Sequence, residues 1–124
     1  MVKENSTNNI NKRQALAVCP VTFTLDKIGG RWKPLILYHL SNETRRYSEL
    51  KRSIPAITEK MLIQHLRELE SDNLIKRTVM PVVPPHVEYS LTKTGKELYP
   101  VLNAMAEWGM KNNPQKTNQK KRDR

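Results

Sequence analysis

Between residues 57 and 73 the apolar positions Leu62, Leu66 and Leu69 recur at a spacing that sets them on one narrow stripe of an α-helix, at roughly 100° per residue. Lys60, Gln64, Arg67 and Ser71 fall on the opposite side. Thr58 is the predicted N-cap, Ile57 before it is placed to pack on Leu62, and Glu59 complements the helix dipole. The rest of the chain supplies elements around this helix. Cys19 and Pro20 predict the N-cap and first position of a helix with Val21, Leu25 and Ile28 as its apolar face, ended by Gly29-Gly30. A second helix restarts at Arg31-Trp32-Lys33-Pro34 and runs to about Ser41, with Trp32, Ile36 and His39 or Leu40 toward the core. Arg45-Arg46-Tyr47 is long enough only for a one-bridge strand. Ser48 reads as the N-cap of a third helix, Glu49 to Ile54, which Pro55 stops.

Beyond Leu74 the period changes. Ile75, Thr78, Val79 and Met80 are strand formers, Pro81, Pro84 and Pro85 stiffen a tip, and Val87, Tyr89 and Leu91 alternate with Glu88 and Ser90, so a hairpin is predicted. Thr92 reads as the cap of a last helix whose apolar stripe is Leu98, Val101, Leu102, Met105 and Trp108. Pro100 inside that helix predicts a kink, and Gly109 a stop. Two helices joined by a tight turn and followed by a hairpin make a winged helix-turn-helix, a mainly α fold with a small β-hairpin (α+β).

The charge sharpens this picture by where it lies. The chain of 124 residues carries a formal +10, yet half of that falls in the last fourteen residues, where six basic side chains stand against one acidic. Such a balance calls for a polyanion, nucleic acid or an anionic membrane surface. Residues 111–124 have no apolar residue to bury and the opening Met1–Lys12 is nearly as polar, so residues 1–18 and 111–124 are expected to be a disordered arm and a disordered basic tail around one domain, residues 19–110. With no apolar run long enough to span a bilayer and no signal-peptide core, a cytoplasmic, nucleoid-associated protein is expected. One cysteine excludes an intrachain disulfide framework and a multi-cysteine zinc site. His39, His65 and His86 lie on three elements without metal-ligand spacing, and no Gly-rich phosphate loop occurs, so neither catalysis, metal nor cofactor is expected.

The helix that buries leucines behind and offers Lys and Arg in front suits the DNA major groove. Thr58, Lys60, Gln64 and Arg67 are its candidate groove residues. His65 is expected to pack at its flank. Arg45, Arg46, Ser48 and Lys51, at the start of the preceding helix, are candidates to clamp phosphates, and Arg77 and His86 are candidates from the wing. A winged-helix module that binds protein in place of DNA is the alternative, against which Lys60 and Arg67 argue. The broad stripe of the last helix, in a domain with a small core, points to a second subunit, with Val21, Leu98, Val101, Leu102, Met105 and Trp108 as the dimerisation residues. Cys19 at a helix N-terminus is a candidate redox or electrophile sensor, its thiolate favoured by the dipole and by any nearby cation; the bland alternative is a small buried hydrophobe.

Several stretches, in order, carry a resemblance: Cys19-Pro20, Leu25-Asp26-Lys27-Ile28-Gly29-Gly30-Arg31-Trp32-Lys33, Tyr47-Ser48-Glu49-Leu50 and Leu66-Arg67-Glu68-Leu69-Glu70. Val83 to Thr92 and Leu102 to Gly109 extend it through nearly all of residues 19–110. In these the chain resembles the HxlR-type bacterial transcription regulators, winged-helix relatives of the MarR group. The resemblance implies a homodimer, joined mainly by its first and last helices, that binds an operator and represses or activates transcription. It also implies that Cys19 stands where some of those regulators sense quinones, aldehydes or oxidants. The operator and any small-molecule inducer are not legible.

Overall fold

The structure, a computed structural model, describes residues 18–115. Of the expected arm 1–18 and basic tail 111–124, residues 1–17 and 116–124 lie outside the described residues, while Lys111 and Asn112 are helical. The elements are α1 (Pro20–Ile28), α2 (Trp32–Leu40), β1 (Arg45–Arg46), α3 (Tyr47–Ser53), α4 (Glu59–Ser71), β2 (Ile75–Met80), β3 (His86–Leu91), α5 (Lys93–Lys96) and α6 (Tyr99–Asn112). The strands form one antiparallel sheet in the order β1-β3-β2. This is the winged helix-turn-helix that the pattern predicts.

The core collects one face from each element. Ile36 and Leu37 of α2, Leu50 of α3, Ile57, the three leucines of α4 and Ile75 are all but sealed from solvent, with Tyr89, Leu91 and Leu102 closing the margins. Each such aliphatic side chain contributes about 1.5–3 kcal/mol relative to exposure. The alternation of β3 is as predicted. In α2, Leu37 joins Ile36 and Leu40 inside, whereas Trp32 and His39 are half-buried.

Four expectations are corrected. Ser48 is not a cap: the helix opens two residues earlier, at Tyr47, with Arg46 as N-cap, and the Arg46 N–H donates to Glu49 Oε1 at 2.8 Å. The carboxylate serves the orphaned N–H, so no hydroxyl is needed. The long terminal helix is two. Thr92 caps only the one-turn α5, its Oγ1 accepting from Gly95 N at 3.0 Å, and α6 then starts from Leu98. Pro100 therefore sits in the first turn of α6, where a proline lacks no partner, and breaks nothing. Gly109 lies within α6, which continues to Asn112 and is capped by Asn113 N–H on the Gly109 carbonyl.

Candidate nucleic-acid interface

Local chemistry fixes α4 at both ends. Thr58 Oγ1 accepts from Met61 N at 3.2 Å, and Ile57 and Leu62 are both core residues, as the capping and staple pattern predicts. At the far end Asn73 takes a left-handed conformation (φ 59°), and Leu74 N–H returns to the Leu69 carbonyl at 3.0 Å. Thr92 then fastens the root of the hairpin to this corner: its Oγ1 donates to the Asn73 carbonyl at 2.7 Å and its N–H to the Leu74 carbonyl at 3.1 Å. Gly95 lies so close to the Leu74 carbonyl that a Cβ would collide with it.

The back of α4 is held by packing and by ion pairs. Lys33 of α2 is 8% exposed, and its Nζ meets Glu68 Oε2 at 2.8 Å. Lys33, first as a hydrogen-bond donor and then through its charge, holds the Glu68 carboxyl below the usual range, with Gln64 and His65 adding to the effect. Lys27, at the end of α1, reaches Asp72 at 3.4 Å. Sequence reading missed both pairs, because their members are 35 and 45 residues apart.

With its back engaged, α4 presents Thr58, Lys60, Gln64 and Arg67 to solvent, the four side chains expected in front. His65 is half-buried at the flank, as expected. Arg46 and Ser48 are exposed beside the start of α3, and Lys51 is partly exposed. Arg45 is partly committed, with Nη2 3.2 Å from Glu43 Oε1 and Nε donating to the His39 carbonyl at 3.4 Å. In the wing His86 Nε2 lies 2.8 Å from Glu88 Oε2, so that imidazole already has an anionic partner, whereas Arg77 is exposed. Arg67 and Arg77 line one cleft of about 580 Å³ between α4 and the hairpin.

The first and last helices look elsewhere. Val21, Leu25, Val101 and Met105 border an apolar groove of about 440 Å³ between α1, the Gly29-Gly30 turn and α6, and Trp108 of α6 is 70% exposed. Two of the six predicted dimerisation residues differ. Leu102 is 3% exposed within the protomer, and Leu98 packs half-buried against the same core, because α6 must cover α2 with one face before offering another. Of the apolar face expected on α1, Ile28 is buried whereas Val21 and Leu25 are exposed.

Cys19 is the exposed N-cap of α1, which removes the alternative of a buried hydrophobe. Its thiol is drawn below the ordinary value first by the Thr22 N–H, then by the Thr22 hydroxyl and the Val21 N–H. Helix-end donors cause the shift, as a thiol at a helix N-terminus leads one to expect, and no cation among the described residues adds to it. No helix among the described residues is long and apolar enough to cross a membrane, and no group of three or more His, Cys, Asp or Glu among them is placed to hold a metal ion.

Known proteins share this arrangement. The HTH-type transcriptional regulator YybR of Bacillus subtilis (strain 168) is 50% identical over 94 residues, spanning 76% of this chain and 75% of that protein. Among solved structures, the redox regulator HypR in its oxidised form superposes with a TM-score of 0.74 at 49% identity, over 77% of this chain and 98% of HypR. The reduced transcriptional regulator YodB of B. subtilis superposes with a TM-score of 0.67 at 34% identity, over 78% and 96%. These relatives are transcriptional regulators and not enzymes. Residues 27–117 match the family described as HxlR-like helix-turn-helix, and the chain belongs to that family of winged-helix transcription regulators.

Proposed function

We propose that the protein regulates transcription, chiefly as a repressor, by binding an operator as a homodimer in the bacterial cytoplasm, and that Cys19 makes this binding responsive to oxidants or electrophiles. One observation carries the DNA reading: α4 has its leucine stripe sealed in the core and an exposed polar side of Thr58, Lys60, Gln64 and Arg67. Residues near the N-terminus of such a helix are those that reach base edges, which assigns Thr58, Lys60 and Gln64 to the major groove. Arg46, Ser48 and Lys51, with Arg45 in part, set the register on phosphates.

Dimerisation is supported by Val21, Val101, Met105 and Trp108, which leave apolar surface open on α1 and α6. A second copy covering it would pair two α4 helices on one duplex, at half-sites a helical turn or a multiple apart. For Cys19 the support is its exposure, its lowered pKa and the likeness to HypR, itself a redox regulator. Two Cys19 thiols would give two electrons and two protons to an oxidant such as diamide and form an intersubunit disulfide; with a quinone, one thiolate would form an alkyl adduct.

Genome-wide footprinting of the purified protein, with and without diamide, tests the whole reading. Discrete symmetric footprints that change on oxidation are expected. A protein that binds no duplex DNA at any ionic strength would instead be a winged-helix protein-interaction module.

A further inference from the structure

We propose that Arg67 and Arg77 grip one and the same backbone phosphate, in the strand that passes between the groove entered by α4 and the groove approached by the wing. This rests on the DNA-binding reading above and divides its labour more finely. Arg77 is the register partner of Tyr89, and directly opposed residues of an antiparallel pair project on the same side of the sheet. That side also carries Ile75, Leu91 and Val87, and it packs on α4. Arg77 therefore points from the wing toward the helix rather than outward along the hairpin.

Arg67 meets it from the other wall. It lies nine residues beyond the Thr58 cap, roughly 13 Å along the axis from the end that enters a groove. At that distance it stands on the flank toward the hairpin, while Lys60 and Gln64 hold the leading end. Both arginines line the cleft of about 580 Å³, whose apolar floor includes Leu66, Val87 and Tyr89. Glu70 lines it too, yet neither guanidinium is within ion-pairing distance of any carboxylate among the described residues.

Two unpaired guanidinium groups above an apolar floor are complementary to a sugar-phosphate: the planar donors fit phosphate oxygens, and the floor accepts the deoxyribose C–H surface. A base edge would need the side chain to lead the helix into the groove, which its position does not favour.

The test is salt-dependent fluorescence anisotropy on a mixed-sequence duplex for wild type, Arg67→Ala, Arg77→Ala and the double variant, with selection from a random duplex library alongside. If one phosphate is shared, either arginine alone still displaces its counterion. Each single variant then binds several-fold more weakly with the slope of log K against log salt unchanged, and only the double variant loses about 0.9 of slope. Base preferences stay as in wild type, and thermal midpoints stay put because both side chains are exposed. Slope losses of about 0.9 in each single variant, adding in the double, would mean two separate phosphates and overturn the pairing. An unchanged slope in the double variant, or a base preference relaxed by Arg67→Ala alone, would overturn it as well. Wild type that binds no duplex would overturn the DNA reading itself, a result distinct from any of these.

Discussion

Helices α4 and α6 carry similar apolar stripes and use them in opposite ways. All three leucines of the α4 stripe are buried in the protomer, and the surface left outside is mostly polar, with Met61 and Ile63 each 39% exposed. From α6 the protomer buries only Leu102, and Val101, Met105, Trp108 and Met110 stay exposed. A hydrophobic period thus says that a face will be covered but not by what. Where the stripe exceeds the space available in the chain's own core, the surplus marks a surface for a partner.

The largest expected effect is the one that breaks α4 from behind. Leu69→Ala should destabilise the protomer by about 2–5 kcal/mol in urea unfolding, since it opens a cavity in a sealed core. The matching change in α6, Trp108→Glu, should leave the unfolding of an isolated protomer nearly unchanged. It should weaken self-association by roughly thirtyfold or more in sedimentation equilibrium, the loss expected of a buried aromatic anchor. If both substitutions damaged the fold equally, the contrast between the helices would be false.

A smaller effect comes from the ion pair behind α4. The Glu68 carboxyl is depressed below its ordinary 4.5, so the unfolded chain takes up its proton first as pH falls. The contribution is present above about 4.5 and is lost as pH drops through the folded value. His39, lowered mainly by burial and secondarily by the Arg45 charge, acts with the same sign: stability is lost once pH falls below about 6.5. Glu68→Gln should therefore lower the thermal midpoint at neutral pH and flatten the acid limb below 4.5, leaving the His39 limb above it; calorimetry from neutral pH down to about pH 2 checks this. The smallest effect on the fold is Cys19→Ser, because an exposed N-cap serine is at least as good a cap. Duplex affinity should match wild type, and the response to diamide should vanish. A retained response would place the sensor elsewhere.

What was legible in the sequence was local. The Thr58 cap, the Ile57 staple, the double glycine after α1 and the alternation of β3 are each decided by residues a few positions apart, and each is where the pattern predicts. Tertiary demands decided the rest. Ser48 is the better cap by propensity, but β1 ends at Arg46 and the chain must turn so that Tyr47 packs against the core, so Glu49 takes the capping work. Thr92 and the apolar run after it read as one helix, and nothing local shows that the turn at Glu97-Leu98 splits them. Lys33 stands in the first turn of α2, and only the fold brings Glu68 of α4 to it. In the candidate site, side-chain type and face were readable for Lys60, Gln64 and Arg67, whereas the placing of Arg67 and Arg77 on one cleft depends on sheet register that only the fold supplies.

The fastening of the hairpin root by Thr92 has a mechanical consequence. Because Asn73, Leu74 and Thr92 join the end of α4 to both strands, the helix and the wing are fastened at one root, like the two blades of a jaw. Two such jaws hinged at an α1 and α6 seam would behave as a pair of compasses. The separation of the points would then be set by the angle at the hinge, and a bond between the two Cys19 thiols, close to that hinge, would alter the span without reshaping either point.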